Sequence, residues 1–140
     1  MRLNKTLKQG EMAMTIEINK RNLPIEGLDP YISLVAKTEN LYIIQKIREV
    51  CVPLIQELTQ NHLKELKACT GIFDYEVQIM TNANRATEKL IEEKAEEFDK
   101  FWEANRQELE KTSFSEEDFW SCLEWVPTKY IYDLCKRNII

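Results

Sequence analysis

The sequence predicts a mainly α protein: an antiparallel hairpin of two long helices, two short C-terminal helices and a minor two-stranded β ribbon. Apolar residues recur at alternating steps of three and four through 39–69 and again through 82–111. This is the period of a helix with one buried stripe. A break at Thr70 and Gly71 separates the two stretches. Because neither helix can bury its own stripe, an antiparallel pair is expected.

The first half of the chain supplies a strand, a short helix and the first long helix. Residues 15–19 alternate apolar and polar side chains, the two-residue period of a strand. Asp29 can cap a short helix whose first residue is a proline. The long helix follows over 39–69, and Pro53 is expected to kink it without breaking it, because the apolar stripe continues in register. Gly71 suits the left-handed residue that ends a helix.

A second strand is predicted over 73–79, where Phe, Tyr, Val and Ile alternate with polar residues. Its expected partner is the strand at 15–19. Since an isolated two-stranded ribbon is marginally stable, we expect this ribbon to pack against the helical hairpin.

The C-terminal quarter begins with a capping pattern. Ser115 and Asp118 occupy the two positions of a capping box, which predicts a short helix through Leu123. Pro127 then begins a final helix over 127–136. Six aromatic residues crowd this region, and we expect most to anchor the core and one or two to mark a contact surface: Phe114, Phe119, Trp120, Trp125, Tyr130 and Tyr132.

Composition indicates one domain. The chain has 140 residues, of which 44% are hydrophobic and 31% charged, as is typical of a soluble helical protein. No apolar run approaches the roughly 20 residues that span a bilayer. No apolar segment follows the basic N-terminal residues, as it does in a secretory signal. The sequence therefore predicts a cytoplasmic protein without membrane contact.

The start of the chain carries a clue at the codon level. The tripeptide at 9–11, Gln-Gly-Glu, can be encoded by bases containing AAGGAG, which pairs with bacterial ribosomal RNA. Met14 follows at a workable distance for initiation. We therefore expect 1–13 to be a leader or disordered and 14–140 to form a single helical domain. Other synonymous codons would make Met1 the start.

Metal, cofactor and catalytic chemistry are not predicted. The four cysteines lie far apart without a Cys-x-x-Cys pair, and His62 is the single histidine. Zinc sites need paired ligands at short spacing, and a general base needs a partner. His62 falls one step off the apolar stripe and is assigned to the core boundary. Buried free thiols are expected at the cysteines: Cys51, Cys69, Cys122 and Cys135.

Negative charge concentrates in 88–118, where twelve residues are acidic and five basic, in a chain of net charge −5. Such a surface disfavours nucleic acid. Four carboxylates fall beside the buried face of the second long helix: Glu92, Glu96, Asp99 and Glu103, here named the acidic stripe. A solvated face, a docking surface for a basic protein and a divalent-metal site all stay open. The docking surface is the candidate site.

Several segments resemble small uncharacterised helical proteins of tailed phages and Gram-positive prophages. The likeness lies in LYIIQKI at 41–47, QELE at 107–110 and FSEEDF at 114–119, with a proline and an aliphatic helix after them. The linker between the long helices departs from that pattern. The resemblance implies a phage or prophage accessory protein in the host cytoplasm, and it carries no site residues.

The expected function is non-enzymatic and works through protein–protein contact, as an assembly factor, a chaperone or an inhibitor of a host protein. Self-association into a homo-oligomer is a further possibility. Two alternative classes stay open, a cytoplasmic DNA-binding regulator and an enzyme with a carboxylate site.

Overall fold

The computed structural model describes residues 25–71 and 74–137, which form six α-helices and no strand. In chain order these helices are α1 (Asp29–Ala36), α2 (Leu41–Asn61), α3 (Leu63–Leu66), α4 (Tyr75–Glu93), α5 (Ala95–Lys111) and α6 (Glu116–Lys136). The predicted mainly α class is confirmed for this part of the chain. The predicted leader at 1–13 and the predicted strand at 15–19 lie outside the described residues.

The last helix, α6, lies at the centre of the packing. It contacts α4, α1 and α2, and its contact with α4 is the most extensive in the fold. Ten of its residues are buried, and they cover well over half of its circumference, as expected for a helix with neighbours on several sides. Helices α2 and α4 touch one another, but each packs more extensively against α6. The two long segments are therefore joined mainly through α6.

The predicted strand at 73–79 is wrong, because Tyr75–Glu93 is helical. The Asp74 carboxylate accepts the backbone N–H groups of Glu76 at 2.9 Å and Val77 at 3.1 Å, which starts α4 there. Tyr75 and Val77 are more than half exposed, whereas Ile79 is buried. The apparent alternation therefore does not mark one buried face. Ile79 begins the helical stripe that continues through α4.

The second long stretch is not one helix, because Lys94 separates α4 from α5. The buried residues of α4 centre on Leu90, and those of α5 include Phe98, Trp102 and Leu109. At about 100° per residue, the three α5 positions lie about 80–120° around the helix from Leu90. A straight helix would turn one of the two stripes away from the core. The break at Lys94 allows both stripes to be buried.

The prediction of two short C-terminal helices is also wrong, since α6 runs unbroken from Glu116 to Lys136 with Pro127 inside it. A proline there removes one helical hydrogen bond and costs about 3 kcal/mol. Buried residues continue on both sides, and Pro127 is itself buried, so hydrophobic burial offsets that cost. The predicted capping box is confirmed: Asp118 N–H donates to Ser115 Oγ at 3.1 Å, and Ser115 N–H donates to the Asp118 carboxylate at 3.0 Å.

The first half follows the prediction more closely. The short helix α1 forms as predicted, but the predicted cap at Asp29 is wrong: Asp29 is the first helical residue, Leu28 occupies the cap position, and no side chain caps the helix. Helix α2 is capped by Asn40 and passes through Pro53 without ending. It stops at Asn61, so the predicted helix over 39–69 is divided into α2 and the short α3. Gly71 has φ +76°, the left-handed conformation expected of it.

Candidate functional site

The acidic stripe is divided between two helices. Glu92 lies near the end of α4, whereas Glu96, Asp99 and Glu103 lie on α5 beyond the break at Lys94. All four side chains are exposed. The stripe is therefore accessible to solvent throughout, but it is not the continuous row on one helix that the sequence predicted.

The far end of the stripe is partly neutralised by Arg106. Its guanidinium lies 3.4 Å from the carboxylates of Glu103 and Glu110. The negative charge of Glu110, and then that of Glu103, raises the pKa of Arg106. Exposed pairs of this kind contribute little to stability. The remaining three carboxylates of the stripe have no cation within ion-pair distance among the described residues, so they carry uncompensated negative charge.

An open cleft lies between α2 and α5 on the other flank of α5, and sequence reasoning did not identify it. Its volume is about 240 Å³. The apolar walls are Val50, Pro53 and Leu54 from α2 with Phe98 and Phe101 from α5. We name this feature the α2–α5 cleft. Its α2 wall includes the one proline inside that helix.

The polar residues of the α2–α5 cleft are three carboxylates and one ammonium group: Glu49, Glu57, Glu97 and Lys94. Lys94 Nζ lies 3.2 Å from the carboxylate of Glu57, and Glu49 lies 3.7 Å from Lys46 on its own helix. Glu97 is exposed and has no ion-pair partner in the described part of the chain. Of the three carboxylates in the cleft, Glu97 is therefore the one whose charge the described residues do not compensate.

The signal that could have located this cleft is the angular position of Glu97. It lies about 100° from Phe98 on the side opposite to Asp99. Glu97 therefore borders the same apolar face as the stripe but on its other flank. Its pairing with an α2 wall depends on the break at Lys94, for which the only signal in the sequence is the shift of the apolar stripe between Leu90 and Phe98.

A carboxyl pair bridges α4 and α6. A hydrogen bond to Glu124, with smaller effects from burial and from the charges of Glu124 and Glu92, raises the pKa of Glu88. Asn84 donates to the same Glu124 carboxylate at 3.2 Å. Two carboxyl groups this close share a proton more readily than isolated groups do.

A tyrosine and a carboxylate join α1 to α6 in a similar way. The hydroxyl of Tyr31 donates to Asp133, and burial, followed by this hydrogen bond, raises the pKa of Tyr31 to about 12. Its ring packs edge-on against Tyr130 with centroids 5.4 Å apart. Tyr130 in turn donates to the carbonyl of Glu26 at 3.1 Å. These contacts fix the start of the described chain to the end of α6.

Three of the four cysteines are buried, as predicted, but Cys69 is exposed. Burial raises the pKa of the Cys51 thiol well above its usual value and that of Cys122 to about 12. His62 is partly exposed at the end of α2, in agreement with its predicted boundary position. Its Nδ1 lies 2.6 Å from the Glu65 carboxylate, and this hydrogen bond lowers the pKa of Glu65.

Within 25–71 and 74–137, no three His, Cys, Asp or Glu residues are placed to hold a metal ion. In the same part of the chain, every helix is too short or too polar to cross a membrane.

Most of the C-terminal aromatic residues are core residues, as expected. Phe114, Phe119 and Tyr130 are buried, and Trp120 and Tyr132 are partly buried and pack against the core. Trp125 is 38% exposed. Larger apolar exposure occurs elsewhere: Leu34, Leu41, Tyr75 and Val77 are each more than half exposed.

Comparison with protein families, curated proteins and solved structures found no match. The phage resemblance therefore stays a prediction from the sequence.

Proposed function

We propose that this protein is a non-enzymatic accessory protein of a phage or prophage that acts through protein–protein contact. What supports the proposal most is the combination of a well-packed core with four large apolar side chains that are more than half exposed: Leu34, Leu41, Tyr75 and Val77. Single exposed apolar residues are ordinary. Leu34 and Leu41 flank the turn between α1 and α2, and Tyr75 and Val77 open α4, so the exposure occurs in pairs.

The charge distribution supports a basic partner. Three carboxylates of the acidic stripe, Glu92, Glu96 and Asp99, are exposed without a compensating cation among the described residues. Their summed field attracts a positively charged surface and accelerates its association. Assembly factor, chaperone and inhibitor of a host protein are the roles that such contact serves.

The experiment compares the wild-type protein with a variant in which all four stripe carboxylates are changed to Gln, in captures from host lysate at 0.1 M and 1 M salt. The Debye length falls from about 10 Å to about 3 Å between these conditions. We expect the wild type to capture a partner at low salt and less of it at high salt, and the variant to capture little at either. Equal capture by both proteins would reduce the stripe to a solvated face.

A matched control removes four negative charges elsewhere. Glu26, Glu39, Glu108 and Glu117 are exposed and lie outside the stripe. Their combined change to Gln gives the same net charge as the stripe variant. Retained capture by this control shows that position, and not total charge, governs binding. Loss of capture by this control would show that net charge alone governs binding.

A further inference from the structure

The α2–α5 cleft offers more hydrogen-bond acceptors than donors. Its lining includes three carboxylates, and the ammonium group of Lys94 is already 3.2 Å from Glu57. Pro53 has no backbone N–H, so the carbonyl of Glu49, four residues earlier, receives no helical hydrogen bond from it. Glu49, whose carbonyl lacks that bond, and Glu97, whose carboxylate has no ion-pair partner in the described residues, therefore line opposite walls of the cleft. A ligand that fits must supply donors and positive charge.

The walls between these acceptors are apolar and partly aromatic. Phe98 and Phe101 form the α5 wall, and Val50 and Leu54 form the α2 wall. Phe101 is held in place by stacking on Phe119 with ring centroids 5.8 Å apart. Apolar walls below a charged rim match a side chain with an aliphatic stem and a cationic head.

Arginine fits this arrangement better than lysine. Its guanidinium presents five N–H donors in one plane and stacks on aromatic rings, whereas an ammonium group is compact and strongly hydrated. A planar fork can donate to two acceptors at the same time. It also loses less hydration energy against Phe101.

We propose that the α2–α5 cleft receives an arginine side chain of a protein partner, with the guanidinium between Glu97 and Glu49 and the stem against Phe98 and Phe101. This inference rests on the proposed function and specifies the chemistry of the partner. It also places the contact on the flank of α5 opposite to the acidic stripe.

The probe is a capped nine-residue peptide of alanine and serine with a central arginine between two leucines. Three matched peptides carry citrulline, lysine or glutamate in place of the arginine. Each is titrated into the full-length, ¹⁵N-labelled protein, and amide shifts are followed by NMR. We expect saturable shifts around 49–54 and 97–101 with the arginine peptide. Citrulline keeps the shape but not the charge, so binding should weaken at least about tenfold, a difference of 1.4 kcal/mol.

Two protein variants locate the site. Glu97→Gln should weaken arginine-peptide binding about tenfold, because it removes the uncompensated charge at the rim. Glu93→Gln is the matched control: Glu93 is an exposed carboxylate at the end of α4, it lies outside the acidic stripe, and it does not line the cleft. This variant should bind as the wild type does. Equal binding of arginine and citrulline peptides, equal effects of the two variants, or no saturable shift would overturn the proposal.

Failure of this inference and failure of the proposed function give different results. If the wild-type protein and Glu97→Gln capture the same lysate partner equally well, while the stripe variant does not, protein contact stands and the cleft is excluded from it. If the wild-type protein captures no partner, the proposed function falls, and if the arginine peptide gives no saturable shift, the cleft proposal falls.

Discussion

Replacement of Trp102 offers the sharpest test of the packing. Its side chain is fully buried, and its ring lies 5.5 Å from that of Phe119. Trp102→Ala should therefore destabilise the fold by about 3–5 kcal/mol, as large-to-small core changes do. The indole Nε1, however, is buried without an acceptor in the described residues. An unsatisfied buried donor costs about 1–3 kcal/mol.

The effect of burying the Trp102 ring and the cost of its unsatisfied N–H group can be measured separately if only the N–H group is removed. Substitution of Trp102 by β-(3-benzothienyl)alanine keeps the shape of the ring and replaces N–H by sulfur. We expect this variant to be at least as stable as the wild type, with a gain of about 1 kcal/mol or about 3 °C in Tm. Urea titration followed by circular dichroism measures both variants. A benzothienyl variant weakened by more than about 1 kcal/mol would show that Nε1 has a favourable partner, and the reasoning would be wrong.

Three further predictions concern titration and thiol chemistry. The Tyr31 pKa of about 12 exceeds the usual value near 10. The stability that the protonated hydroxyl contributes is therefore complete below pH 10 and is lost between pH 10 and 12. Tm measured across that range should fall less for Tyr31→Phe than for the wild type. The raised pKa of Glu88 means that its pairing with Glu124 favours the fold at low pH and opposes it once both are ionised. Glu88→Gln should raise stability by a few tenths of a kcal/mol at pH 7 and not at pH 4, by thermal melts at both values. Ellman's reagent should modify Cys69 alone in the folded protein and all four thiols in urea. More than one fast-reacting thiol in the native state would contradict the burial of the other three cysteines.

Local chemistry made part of the fold predictable from sequence. The capping box at Ser115 and Asp118 depends on two residues three apart, and it forms as predicted. The strand over 73–79 failed because four alternating apolar residues do not identify which of them is buried. Asp74, a strong helix cap, was the competing signal.

Tertiary packing decided the features that the sequence left unpredicted. Pro127 favours a helix start when considered alone, yet the neighbours of α6 bury residues on both sides of it and keep the helix continuous. The α2–α5 cleft joins Glu49 to Glu97 across a long separation in sequence, and its geometry depends on the break at Lys94. Periodicity within one element carries no information about such a pairing.

The central position of α6 also bears on synthesis at the ribosome. Helices α1, α2 and α4 all pack against a helix that is translated after them, so their apolar stripes stay uncovered until α6 emerges. Contacts between segments far apart in sequence form late and slowly, and exposed stripes favour aggregation or chaperone binding meanwhile. Nascent chains arrested before residue 116 should be digested by protease, whereas chains arrested far enough beyond residue 136 for α6 to leave the tunnel should be protected.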